Sequence, residues 1–175
     1  MQKTYCLVVA LLALATLPAT AQPTWQNQIS VTGGPQFPTE NFEAGWKTGS
    51  GISATYYYRP ARSFFFGLRG GYHRFQAKNA DATLNILPLQ FASKFNFALT
   101  GLQPYIGFDG GFYLLRPEGG DDSSEFGVAP KFGFRIPLAS GVDLDLNATY
   151  EVILNDSDNT KYFGLNAGFA YIFGR

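Results

Sequence analysis

The sequence predicts an all-β chain, an eight-stranded antiparallel up-and-down transmembrane β-barrel, and three observations carry that expectation. Eight segments alternate apolar and polar residues with a period of two, most of them about 10 to 13 residues long. A tilted strand needs ~9–11 residues to cross a bilayer, whereas soluble strands average ~5–6. The connections alternate strictly between short turns and longer polar loops, and the glycines gather on the polar faces of the strands.

The N-terminus sets the compartment. Lys3 precedes an apolar run from Tyr5 to Leu17, and Ala19-Thr20-Ala21 before Gln22 has the small-x-small form of a secretory cleavage site. Residues 1–21 are therefore expected to be a cleaved signal peptide and 22–175 one barrel domain. Cys6 leaves with the signal, so the remaining chain has no disulfide framework, thiol chemistry or zinc-thiolate site. The full chain has 13 basic and 13 acidic residues; without Lys3 the balance is 12 to 13, net −1, which gives no electrostatic case for nucleic acid.

The strands are expected near 25–34, 48–59, 64–75, 83–97, 104–115, 126–138, 142–154 and 162–173. Short turns fall at Pro60-Ala61-Arg62, Gly101-Leu102 and Ala139-Ser140-Gly141, and longer loops at 35–47, 76–82, 116–125 and 155–161. Short turns on one rim and long loops on the other is the arrangement of membrane barrels, with the long loops outside the cell. Arg59 and Arg62 lie at the short-turn rim, while loops three and four are acidic.

Each strand has one apolar and one polar face. Strand three sets Phe64, Phe66, Leu68 and Tyr72 against Arg69, Gly71 and His73. In strand four Leu87, Leu89, Phe91, Phe95 and Phe97 share a face, but Leu84 and Ile86 lie on the opposite phase, which predicts a bulge near Pro88. Strand five opposes Ile106, Phe108 and Phe112 to Tyr105, Asp109 and Tyr113, and strand six opposes Phe126, Val128, Phe132 and Phe134 to Gly127, Lys131, Gly133 and Arg135. Strand seven sets Val142, Leu144, Leu146 and Val152 against Asp143, Asp145, Asn147 and Glu151, and strand eight sets Phe163, Leu165, Phe169 and Tyr171 against Gly164, Asn166 and Gly168.

The same alternation would suit a soluble barrel turned apolar-in, and the glycines separate the two. Gly67, Gly71, Gly107, Gly111, Gly127, Gly133, Gly164 and Gly168 share the polar face. Small residues make room for long polar neighbours inside a narrow closed barrel, whereas on an exposed surface they would only weaken the strands. Aromatics at strand ends, such as Tyr56, Tyr58, Phe64, Phe66, Phe95, Phe97, Tyr171 and Phe173, form an interfacial girdle. The expected lumen is a polar network of Arg69, His73, Lys94, Asp109, Lys131, Arg135, Asp143, Asp145 and Glu151. A three-residue loop at 139–141 would face Leu138 with Val142, Arg135 with Asp145 and Lys131 with Thr149.

Gly33-Gly34-Pro35-Gln36-Phe37-Pro38-Thr39, Gly45-Trp46-Lys47-Thr48-Gly49, Pro104-Tyr105-Ile106-Gly107 and the closing strand carry a family likeness. The chain resembles the small OmpA/OmpX/OmpW-like outer-membrane β-barrel proteins of Gram-negative bacteria. That resemblance implies a barrel in the outer membrane, surrounded by lipid and lipopolysaccharide and inserted by the barrel assembly machinery. Family members end in a polar-x-Gly-x-x-aromatic-x-aromatic segment that this machinery reads; Asn166, Gly168, Tyr171 and Phe173 fill those positions, with Gly174-Arg175 following.

Candidate chemistry is thin. Some barrels of this size are lipid A hydrolases or acyltransferases, but His73 is the one histidine and has no serine at a catalytic spacing in sequence. Asp143 and Asp145 have basic neighbours and read as ion-pair partners. Asp156-x-Asp158-x-Thr160 lacks the glycine and distal glutamate of a calcium loop, and Gly107-x-x-Gly110-Gly111 has no lysine at phosphate-loop spacing. No cofactor is expected. Asn147-Ala148-Thr149 matches a glycosylation triplet inside a membrane strand and is discounted. Two readings remain: a monomeric, non-enzymatic scaffold acting through its loops, or an OmpW-like conduit or binder for small hydrophobic molecules, for which Phe37, Phe42 and Trp46 in loop one would serve.

Overall fold

The structure, a computed structural model, describes residues 26–155 and 158–174. The expected signal peptide with Cys6, and Asp156 of loop four, lie outside the described residues. Eight strands form: β1 (Gln26–Thr39), β2 (Gly49–Arg59), β3 (Phe64–Gln76), β4 (Thr83–Asn96), β5 (Gln103–Pro117), β6 (Ser123–Ala139), β7 (Val142–Leu154) and β8 (Thr160–Phe173). Each pairs antiparallel with the next, and β8 returns to β1 to close the barrel. Closure leaves no open sheet edge, the condition a strand must meet in lipid.

The period-two pattern sorts side chains by wall. Leu68 and Leu89 are 62% and 65% exposed, while the charged groups of Asp109 and Glu151 are fully buried. A soluble protein does the reverse. The described barrel is therefore apolar outside and holds its charged groups inside, as a membrane barrel does. Aromatic neighbours crowd the short-turn rim on the lipid side, with Phe64 4.7 Å from Phe66 and Tyr171 stacked on Phe173 at 5.8 Å between ring centroids.

Several boundaries differ from the sequence expectation. β1 runs on to Thr39 instead of ending at 34, and a short helix, α1 (Asn41–Gly45), occupies much of what remains of loop one. β5 and β6 also extend into the expected loop three. The expected short turn at Gly101-Leu102 is a connection over 97–102, no shorter than those at 77–82 and 118–122, so short and long connections do not alternate strictly. There is no bulge near Pro88. Pairs from Phe64↔Phe95 to Gln76↔Thr83 keep one register, as do those from Leu84↔Pro117 to Asn96↔Tyr105. Leu84 and Ile86 are simply inward-facing, because the lumen becomes apolar at the long-loop end. The irregularity lies instead in β6, where the register with β7 shifts between Pro137 and Ala139. Ala139, not Leu138, pairs with Val142, since Pro137 cannot donate to the ladder and Gly141 takes φ 76° to close a tighter turn.

Inward glycines are matched to large partners. Tyr105 pairs with Gly133 and Lys131 with Gly107, so each long side chain crosses a position without a side chain. A Cβ on Gly133 would stand 2.5 Å from Tyr105 Cζ, one on Gly107 2.6 Å from Lys131 Cε, and one on Gly127 2.6 Å from Tyr113 Cε2. Gly133→Val should therefore lower folding stability by ~1–3 kcal/mol through overpacking, measured by denaturant titration in detergent. Gly70→Ala, whose Cβ would meet nothing within 4 Å, should change it by less than about 0.5 kcal/mol.

Candidate functional site

Because inward side chains of all eight strands converge, the lumen can be followed in levels from the short turns upward. In the lowest level Lys94 Nζ donates to Gln28 Oε1 at 2.9 Å and lies over the rings of Tyr57, Phe65 and Tyr105 at 4.3, 4.7 and 5.1 Å. Arg135 donates from Nη1 to the same Gln28 oxygen at 2.9 Å and to Asp143 at 3.2 Å, and from Nη2 to Gln103 at 2.6 Å. Asp145 accepts from the Tyr105 hydroxyl at 2.7 Å, Ser30 at 3.0 Å and Asn147 at 3.3 Å.

Arg135 and Asp145 are register partners, yet the salt bridge of Arg135 is with Asp143. Both aspartates face inward, and Asp145 is already engaged by Tyr105 and Ser30, which leaves Asp143 for the guanidinium. Lys131 is opposite Thr149, but its ammonium reaches past Gly107 to both carboxylate oxygens of Asp109, at 2.6 and 2.7 Å, and to Tyr57 at 2.7 Å.

The middle level centres on Arg69. Its Nη1 contacts Glu151 at 2.9 Å, Gln90 at 3.2 Å and Asp109 at 3.4 Å, and Nη2 donates to Ser53 at 3.1 Å. Tyr113 donates to the other Glu151 oxygen and accepts from Gln90 at 2.6 Å. Asp109 thus joins Arg69 to Lys131 in one network whose side chains are at most 6% exposed. A cavity of about 20 Å³ remains among Ser30, Thr55, Tyr57 and their neighbours, room for roughly one water.

Above this network His73 hydrogen-bonds to the Tyr162 hydroxyl through Nδ1 at 2.8 Å and lies 3.4 Å from Ser53 Oγ through Nε2. The fold thus brings a serine to the histidine that sequence spacing had left alone. That hydroxyl is also a hydrogen-bond acceptor for Arg69, a hydroxyl rather than a carboxylate stands on Nδ1, and both residues are buried. An activated nucleophile needs an oriented base and access to substrate, and this pair is arranged as a packed link in the lumen.

The top of the lumen is apolar. Phe75, Leu84, Ile86, Tyr113, Leu115, Ile153 and Tyr162 form one buried cluster, and Phe42 of α1 enters it from above, 5.0 Å from Phe75 and 5.9 Å from Trp46 between ring centroids. Glu40, at a left-handed φ of 55°, turns the chain into α1. Its carboxylate meets Lys161 of β8 at 2.6 Å and Tyr150 at 3.4 Å, while Asn41 donates to Asp158 at 3.2 Å. Loop one therefore folds over the mouth. The off-phase Leu84 and Ile86 were the sequence signal for this chamber. Gln28 carried none, since it meets Lys94 and Arg135 only on closure, whereas Gln90 and Gln103 are register partners of Arg69 and Arg135 on neighbouring strands and were missed as uncharged residues.

The family model described as outer membrane protein beta-barrel domain matches residues 7–173. The chain belongs to that family. Its outer-membrane barrel fold recurs in Neisserial surface protein A (TM-score 0.65, 19% identity, 86% of this chain and 98% of that one). It recurs in Ail, the attachment invasion locus protein of Yersinia pestis, solved with the heparin analogue sucrose octasulfate (0.58, 14%, 86% and 100%). A third such structure is OprG from Pseudomonas aeruginosa (0.53, 16%, 87% and 97%). No curated protein sequence matches the chain. Family membership places the barrel in the Gram-negative outer membrane.

Two outcomes follow from this geometry. Glu151→Gln should destabilise the barrel by less than the ~3–5 kcal/mol of a fully broken buried pair, because Arg69 keeps Asp109 at 3.4 Å, and a double-mutant cycle should give stronger coupling for Arg135 with Asp143 than with Asp145. At the rim, the hydrogen bond from Lys161 holds the exposed Glu40 carboxyl below its usual range. The contact is thus intact above the ordinary carboxylate pKa of about 4.3 and lost as pH falls through the lowered value. In a Trp25→Phe background, Trp46 emission should hold steady through the ordinary carboxylate range and shift red only as pH falls through the lowered value, with Glu40→Gln abolishing the transition.

Proposed function

We propose that this chain is a monomeric, non-enzymatic scaffold of the outer membrane, with a lumen plugged by its own side chains, that acts through the surface of its long loops. The observation that carries this reading is the unbroken stack from Arg135–Asp143 through Lys131–Asp109–Arg69–Glu151 to the apolar cluster beneath Phe42. Four cations and four carboxylates balance inside, and the cavity left between them in the middle of the stack is about 20 Å³. A conducting pore needs a continuous water path, so steady conductance in planar bilayers should be absent for the folded wild type; a stable open channel would overturn the plugged lumen.

Orientation follows the barrel rule, long loops outside and short turns in the periplasm, after export by the segment 1–21 and its cleavage. The outer loops 40–48, 77–82, 118–122 and 155–159 then carry Glu40, Glu43, Asp81, Glu118, Asp121, Asp122, Asp156 and Asp158 against Lys47 and Lys78. Ail was solved with a polyanion; this acidic rim suits cationic partner surfaces, and lipopolysaccharide bridged by divalent cations, instead. For insertion, Asn166, Gly168, Tyr171 and Phe173 serve as the segment read by the assembly machinery. Tyr171 and Phe173 stack at 16° on the closing strand, and a Cβ on Gly168 would lie 1.9 Å from the Val31 carbonyl oxygen, so that strand closes only with glycine there.

The apolar upper lumen favours a second reading, a binder of small hydrophobic molecules admitted when Phe42 withdraws. Saturable enhancement of a naphthylamine fluorophore by the folded wild type would support it. Enhancement seen only after Phe42→Ala would leave the sealed scaffold as the better description.

A further inference from the structure

The short-turn mouth is built differently from the rest of the lumen. A cavity of about 530 Å³ opens there, walled by Arg59, Arg135, Gln26, Gln103, Ser140 and the ring of Phe65 among others, with no carboxylate in its lining among the described residues. That is more than tenfold the ~30 Å³ of one liquid water. The guanidinium carbons of Arg59 and Arg135 each lie 5.4 Å from the centroid of the same Phe65 ring, so the two charges are at most twice that distance apart. Among the described residues Arg59 is hydrogen-bonded by neutral oxygens, the Gln26 side chain and the Arg62 carbonyl. Arg135 is nearly fully buried, and among the described residues it makes one salt bridge, with Asp143, and has an Nε–H without a protein partner. Lys94, the next cation inward, contacts an amide oxygen and three rings, and among the described residues it has no carboxylate within salt-bridge reach.

Elsewhere in the lumen each cation meets a carboxylate; at this end Arg59, Lys94 and Arg135 share Asp143 and Asp145. Surplus positive charge in a partly dry mouth is relieved by an anion, and guanidinium forks with a rim of amides and a hydroxyl match the paired oxygens of a carboxylate or phosphate better than a spherical halide. We infer that the mouth at the short-turn end is an oxyanion-binding site, with Arg59 and Arg135 as its charged ligands and Gln26, Gln103 and Ser140 as neutral ones. In the orientation proposed above the ligand comes from the periplasmic side, either a soluble phosphate or carboxylate or the phosphate of an inner-leaflet headgroup.

The test is arginine Nε–Hε NMR on the full barrel in an uncharged detergent, titrated with inorganic phosphate, succinate and, at matched ionic strength, chloride. The Arg59 and Arg135 signals should shift saturably with phosphate or succinate, at midpoints at least tenfold below chloride. Arg59→Gln should weaken the response at least tenfold, Arg59→Lys less, and Arg116→Gln at the far rim not at all; heat-modifiable migration on a gel verifies that each variant is folded. Non-saturable shifts, equal response to chloride, or an unchanged midpoint in folded Arg59→Gln would overturn the site. In zwitterionic nanodiscs, phosphatidylglycerol that competes with free phosphate identifies a headgroup ligand, and failure to compete identifies a soluble one. A conducting wild type would overturn the plugged lumen and leave this titration unaffected.

Discussion

Neutralisation of charge inside a wall that faces lipid is the constraint on which the rest of this barrel depends. Arg69, Lys131, Asp109 and Glu151 are held in a single network with almost no exposure. Removing Arg69 leaves Glu151 without its guanidinium partner in the network, and removing Asp109 leaves Lys131 without its carboxylate. The strands can present those groups inward only by presenting Leu68, Leu89, Phe112 and Phe169 outward, because the two faces of a strand are linked by its period. Ionic pairing within and hydrocarbon contact without are therefore one requirement seen from two sides.

Space inside the wall is the second half of that requirement. Eight strands enclose a lumen that side chains fill, so a long residue needs an absent one across from it. The pairing of Tyr105 with Gly133 and of Lys131 with Gly107 supplies this, and it lets Lys131 lie across Gly107 to reach Asp109 two residues along β5. Glycine weakens a strand in isolation. Here it is retained because the partner that fills its place also carries the network.

Strand number and facing were legible because they are local: a period of two and a strand length are written within a few positions. The strict alternation of short and long connections did not hold, the β4–β5 connection at 97–102 being as long as 77–82. Partners were less legible because they are set by closure. Ser30 reaches Asp145 across 115 residues of sequence, and Lys94 reaches Gln28 across 66; no pattern within a hairpin encodes either contact. Arg135 shows the boundary between the two kinds of information. Its register opposite Asp145 was readable from the turn, while its choice of Asp143 depended on Tyr105 and Ser30 arriving from other strands. Leu84 and Ile86 failed for another reason. The rule that one face is polar throughout made them look displaced, and the bulge was inferred to restore a uniform lumen that the fold does not have.

That non-uniformity bears on what the two ends can do. At the long-loop end, aromatic and aliphatic side chains meet under Phe42, and the loop above is fastened by Glu40 to Lys161. At the short-turn end, arginines stand beside a polar cavity without acidic lining. A barrel built to pass solutes would need matched openings and a graded path between them, whereas this one interposes its most tightly paired charges midway. Under the proposed function, recognition at either end would proceed without opening the wall, the loops and the arginine mouth being separated by a charge-balanced middle.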